Sequence, residues 1–176
     1  MFDVPTDNSV VNNTITHMDL AFYQTKASRD VFFECLLYSA KKYRVHPDYI
    51  YVLYRMEGGT TGKWSKNRDG TRDFGLMQIN YEVWSKEFKR FGLNVNWNLV
   101  LHDMCSNVQA ATVIIKMRQQ SSRYKLTALS NYHWFASYKK NPKPHFVYKK
   151  KLKTRYARII REKNRFVDRI RKIAGM

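Results

Sequence analysis

Residues 57–80 read EGGTTGKWSKNRDGTRDFGLMQIN. Ahead of this stretch Pro47 opens a helical segment whose apolar positions are Ile50, Leu53, Tyr54 and Met56. Proline suits a first turn, where its missing N–H would have no helical partner anyway. Gly58, Gly59 and Gly62 stop that helix and leave Glu57 as its last residue. From Thr60 to Gly75 no helical period survives, and three of the seven glycines fall inside, so the segment reads as a long loop or short hairpin. Loops of this length are uncommon in compact domains and are often functional.

The position of Glu57 has chemical consequences. A carboxylate there faces the negative end of the helix dipole. Apolar neighbours such as Met56 and Met77 would also desolvate its charge. Both effects favour the protonated form, which is what a general acid working near neutrality requires. Read alone, however, Glu57 is more readily a solvated glutamate at a helix end than a catalytic acid.

Working outward, the rest of the chain is helical in pattern. Ser28 is a suitable N-cap, and Val31, Phe32, Cys35, Leu36 and Ser39 recur at three- and four-residue steps. Further helices are expected over 80–91, 105–120, 126–135 and about 146–173, whereas residues 1–27 form a loose polar arm. Gly and Pro, 7 and 4, make up about 6% of the chain against roughly 12% in average usage, which disfavours a turn-rich all-β protein. With 176 residues and 44% hydrophobic side chains, the chain can bury one sizeable core and is no disordered segment. The organisation expected is therefore a polar arm (1–27), one mainly α domain with an irregular or hairpin lobe (28–145), and a basic helix (146–176).

Charge is concentrated at one end. The formal balance is +18; residues 139–176 hold 15 basic side chains against 2 acidic ones, leaving a mildly basic body. Such a field favours polyanions: nucleic acid, anionic lipid or an acidic wall polymer. Leu152, Tyr156, Ile159, Phe166, Ile170 and Ile173 form an apolar stripe along this tail, whose other faces are Lys and Arg. No run approaches the roughly 18 apolar residues of a membrane-spanning helix. The first twenty residues also lack the pattern of a secretory signal. The two cysteines, Cys35 and Cys105, are either buried thiols or a bridge, and neither has zinc-ligand spacing. The five histidines show no ligand spacing, so no metal or other cofactor is expected.

Three motifs, taken together, carry a resemblance. They are Glu57-Gly58-Gly59 with Gly62, then Asn67, Gly70, Asp73 and Gly75-Leu76-Met77-Gln78-Ile79-Asn80, then Ala128-Leu129-Ser130-Asn131-Tyr132-His133. Cys35 and Asp103-Met104-Cys105-Ser106-Asn107 accompany them. Over roughly residues 28–138 the chain resembles the lytic transglycosylase domain of the lysozyme-like superfamily. It is most similar to the small specialised enzymes of bacterial secretion, conjugation and pilus systems. Gly58 departs from the serine that many relatives carry there, and His133 from the usual asparagine.

The resemblance implies a lysozyme-like domain in which Glu57 is the catalytic acid and base, acting on peptidoglycan in the periplasm or cell envelope. It implies a Cys35–Cys105 disulfide, and Met77, Gln78, Asn80, Tyr132 and His133 as substrate-binding residues, with the Tyr132 hydroxyl near Glu57. For Asn80 a helix cap is an equal reading, and for Met77 a core position nearly so. Asp73 is the nearby candidate for a second carboxylate, otherwise a residue that organises the loop. The implied reaction cleaves between N-acetylmuramic acid and N-acetylglucosamine and closes a 1,6-anhydro ring. Rival readings are a lysozyme-like hydrolase, a phage-borne wall enzyme, or a non-catalytic basic protein binding wall, membrane or nucleic acid. Partners of the tail, in a secretion apparatus or at a membrane surface, and the oligomeric state are left open.

Overall fold

The computed structural model describes residues 28–120, 125–133 and 142–173. The expected arm over 1–27 lies outside the described residues, as do the side chains of His133, Phe166, Ile170 and Ile173. The fold is mainly helical. Its elements are α1 (Ser28–Tyr43), α2 (Pro47–Glu57), β1 (Trp64–Lys66), β2 (Arg72–Phe74), β3 (Ile79–Asn80), α3 (Tyr81–Arg90), α4 (Trp97–His102), α5 (Met104–Gln120), α6 (Lys125–His133) and α7 (Pro142–Ile173). These gather into two compact units, one of residues 28–36 and 59–110, the other of 37–58 and the described residues from Ala111 on.

In the first unit the irregular stretch becomes a small antiparallel sheet in the order β1-β2-β3. Trp64 lies opposite Phe74 and Ser65 opposite Asp73, while Asp73 and Phe74 pair with Asn80 and Ile79. Its turn is closed by Asp69, whose Oδ1 accepts from the Thr71 amide at 3.0 Å and the Thr71 hydroxyl at 2.7 Å. Arg72 clamps β2 to α3, donating from its backbone N–H and from Nε to the two carboxylate oxygens of Glu82, each at 2.7 Å. Phe74 stacks on Tyr81 at 4.9 Å, and Trp84, Phe88 and Val100 are buried.

Asn107 on α5 is the polar centre of this unit. It is fully buried, and its Nδ2 donates to the carbonyls of Phe74 (3.0 Å) and Val100 (2.8 Å) while Oδ1 accepts from the Met77 amide (2.7 Å). A buried amide satisfied on both ends ties the sheet to the end of α4 without an unpaired group. A disulfide joins Cys35 on α1 to Cys105 on α5, so the bridge implied by the resemblance is present. Helix α4 had no counterpart in the sequence reading; Asn96 starts it, its Oδ1 accepting from Asn98 and Leu99 amides at 3.1 and 3.3 Å.

The second unit is helix on helix. Ile50, Val52 and Leu53 of α2, Ile114 and Ile115 of α5 and Leu129 of α6 are buried. Helix α7 packs on α2 and α6. It starts at Pro142, four residues before the expected position, with proline again at a helix start. Tyr148, Leu152 and Ile159 are its buried face. Lys149 Nζ reaches Thr127 Oγ1 of α6 at 3.2 Å, and Glu162 accepts from Arg55 of α2 at 3.2 Å.

Candidate active site

Helix α2 delivers Glu57 as the sequence predicts. The His46 side chain accepts from the Asp48 amide at the N-terminus, Pro47 follows, and Gly58 caps the C-terminus at φ +64°, its N–H donating to the Tyr54 carbonyl at 3.2 Å. That φ lies in the left-handed region, where glycine carries no Cβ penalty.

The Glu57 side chain is met by a residue that the sequence reading overlooked. Tyr148 of α7 donates its hydroxyl to Glu57 Oε1 at 2.5 Å. Burial holds the Tyr148 hydroxyl far above the ordinary tyrosine range, and the Glu57 charge, the hydrogen bond and Tyr132 add to the effect. Tyr148 is thus a fixed donor at any physiological pH. Tyr132, on α6, is buried in the same unit and near enough to act on Tyr148 electrostatically. Extending the apolar stripe back four residues from Leu152 would have found Tyr148; the expected division at 145/146 set this helix apart from the catalytic domain, and the stripe read along it began only at Leu152.

The residues expected around the Gly75–Asn80 motif all lie in the first unit. Gln78 adopts φ +47°, an uncommon conformation for a residue with a side chain. Its amide is anchored at both ends: Oε1 accepts from the Ser65 hydroxyl at 2.6 Å and Nε2 donates to the Gly75 carbonyl at 2.8 Å. Strain of this kind persists only where the surroundings over-determine the backbone, and it gathers at binding sites. Gly59 closes the same corner, its N–H donating to the Leu76 carbonyl at 3.2 Å. A Cβ at 59 would overlap the Gly75 carbonyl oxygen and sit 2.7 Å from Gln78 Nε2.

Met77 is fully buried, so its side chain belongs to the core of this unit. Asn80 caps α3, its Oδ1 accepting from the Val83 amide at 3.1 Å, and its Nδ2 donates to Thr71 Oγ1 (2.8 Å) and Asp73 Oδ1 (3.0 Å). Its amide is engaged by the protein at both ends. Asp73 is half-buried on β2; burial raises its carboxyl above the ordinary value, opposed by hydrogen bonds from Asn67 and Asn80 and reinforced by the charges of Asp69 and Glu82. These contacts make Asp73 an organiser of the hairpin. His133 ends α6, but its side chain lies outside the described residues.

The chain is similar to known proteins over most of its length. The family described as the transglycosylase SLT domain matches residues 34–155, a span that begins just before Cys35 and runs beyond Tyr148 and Leu152. The chain is 27% identical over 144 residues to the invasion protein IagB of Salmonella typhimurium strain SL1344, covering 81% of this chain and 79% of that protein. The same figures hold for strain LT2. IagB of Salmonella typhi is 27% identical over 101 residues, 57% of this chain and 61% of that protein.

Proposed function

Because the chain belongs to the transglycosylase SLT domain family, with its lysozyme-like fold, we propose that it is a peptidoglycan lytic transglycosylase whose single acid and base is Glu57. The observation that carries the proposal is the Tyr148 hydroxyl on Glu57 Oε1, 2.5 Å away, at the capped end of α2. The hydrogen bond occupies Oε1, so the proton that Glu57 delivers as an acid is carried on Oε2. That proton goes to the oxygen linking N-acetylmuramic acid to N-acetylglucosamine, and the bond to the departing sugar breaks. The substrate's acetamido group stabilises the cationic ring, which replaces the second carboxylate that glycosidases generally use. Glu57, now a carboxylate, takes the proton of the C6 hydroxyl, and the C6 oxygen closes a 1,6-anhydro ring. No water is consumed, and Glu57 ends as it began. Throughout, the Tyr148 hydroxyl holds the carboxyl in one rotamer and offsets its negative charge between the two proton transfers.

The buried Cys35–Cys105 disulfide supports an oxidising compartment, so we place the protein in the periplasm or cell envelope. Likeness to proteins named for invasion supports a specialised task, the local opening of the wall for a secretion or conjugation apparatus. The test is mass spectrometry of muropeptides released from purified sacculi. The native protein is expected to release anhydro-muramyl ends. Glu57→Gln is expected to lower that release by about 10²–10⁴-fold, the usual contribution of a general acid and base. Reducing ends in place of anhydro ends would instead identify a hydrolase and turn attention to Asp73 as its base.

A further inference from the structure

Among its described residues helix α7 carries two ridges, one buried in the fold and one exposed. Tyr148, Leu152 and Ile159 are buried against α2 and α6. The other ridge is Val147, Lys151, Thr154, Arg158, Arg161 and Arg165, spaced four, three, four, three and four residues apart, so it forms a single line along the helix. All six are exposed. Lys150, Lys153 and Arg155 widen the basic surface, and Phe146 extends its apolar end beside Val147, about half exposed like it (51% and 48%).

The charge on this surface is not neutralised from within. Glu162, which is half-buried, accepts from Arg55 at 3.2 Å and lies 3.6 Å from Arg158. Lys150, Lys151, Lys153, Arg155, Arg161 and Arg165 have no ion-pair partner among the described residues. Between Val147 and Arg165 the helix rise gives a basic edge about 27 Å long, far longer than one phosphate or carboxylate and suited to a plane of negative charge. A nucleic-acid groove would interleave aromatic rings with the cations, and this ridge has none between Lys150 and Arg165. A glycan site would need amide and hydroxyl groups, of which the ridge offers Thr154 alone. A bilayer surface asks for what is present: cations for the headgroups and a small apolar foot, Phe146 and Val147, at the acyl boundary.

We propose that α7 docks the protein side-on to an anionic lipid bilayer surface through this ridge. The docking is electrostatic and reversible, and separate from the chemistry at Glu57.

Flotation of the full chain with vesicles tests it. Binding to phosphatidylglycerol–phosphatidylcholine vesicles is expected to exceed binding to pure phosphatidylcholine by about tenfold or more, and to collapse as salt rises from about 0.05 to 0.5 M. The triple variant Lys151→Glu, Arg161→Glu, Arg165→Glu should lose the anionic preference while keeping its helical circular dichroism and its activity on isolated sacculi. Phe146→Ser with Val147→Ser, at unchanged charge, should weaken vesicle binding about threefold to tenfold. Equal binding to neutral vesicles, or full binding by a folded triple variant, would overturn the proposal. So would retention on duplex DNA that anionic vesicles fail to displace, which would make the ridge a nucleic-acid surface.

Discussion

At Glu57 the physics reduces to one carboxyl, one helix end and one hydroxyl. The Tyr148 donor stands 91 residues away in sequence, and its proton is held in place by burial. A hydrogen bond to a charged group is worth about 1.5–3 kcal/mol, which corresponds to roughly a 10–100-fold change in rate. Tyr148→Phe keeps the ring that packs in the second unit and removes the hydroxyl. It is expected to lower kcat on sacculi by about that factor with KM little changed, whereas a residue that only filled space would leave kcat alone. Steady-state kinetics with circular dichroism as the control separates the two. The glycines follow the same logic on the backbone side. Gly58 supplies a left-handed φ of +64°, and Gly59 leaves room for the Gly75 carbonyl, so the two adjacent glycines act for different reasons.

Among the elements, α7 does the most for the site while reading least like part of it. It supplies Tyr148, and two neighbours fix where that hydroxyl stands: Leu152, one turn on, is fully buried, and Lys149, the next residue, donates to Thr127 of α6. Truncating a buried leucine removes its transfer energy and leaves a cavity, together about 2–5 kcal/mol. Leu152→Ala is therefore expected to lower stability by that amount in urea unfolding. Wall-lytic activity should decline with it even at temperatures where the chain stays folded, because the Tyr148 turn loses its anchor. The small sheet works differently. Its strands are two or three residues long, and side chains hold it in place of a long ladder: the Arg72–Glu82 clamp, the Asn80 cap and the Asn107 amide.

For the molecule as a whole, the disulfide is the largest single constraint, closing residues 70 apart in sequence. The chain-entropy model assigns a loop of that length about 4 kcal/mol. Cys35→Ser with Cys105→Ser is expected to lose about that much stability, seen as a lower thermal midpoint that dithiothreitol no longer shifts. Much of this protein was legible before any coordinates. Helix periods, Pro47, the Gly58-Gly59 stop and the position of Glu57 are local properties, set by spacing and backbone preference within a few residues of the chain. Glu57 with its glycines, the GLMQIN segment and residues 128–133, taken together and accompanied by the two cysteines, carried the resemblance to the family. What could not be read are facts of long separation. Helix α4 is a six-residue element with too few positions to show a period. For Asn80 and Met77 the sequence left two readings open, and the hydrogen bonds and burial of the folded chain make one a helix cap and the other a core residue. Tyr148 is the clearest case. The helical period marks this tyrosine as a buried position, but only the docking of α7 on α2 and α6 brings its hydroxyl to the carboxyl at the end of another helix.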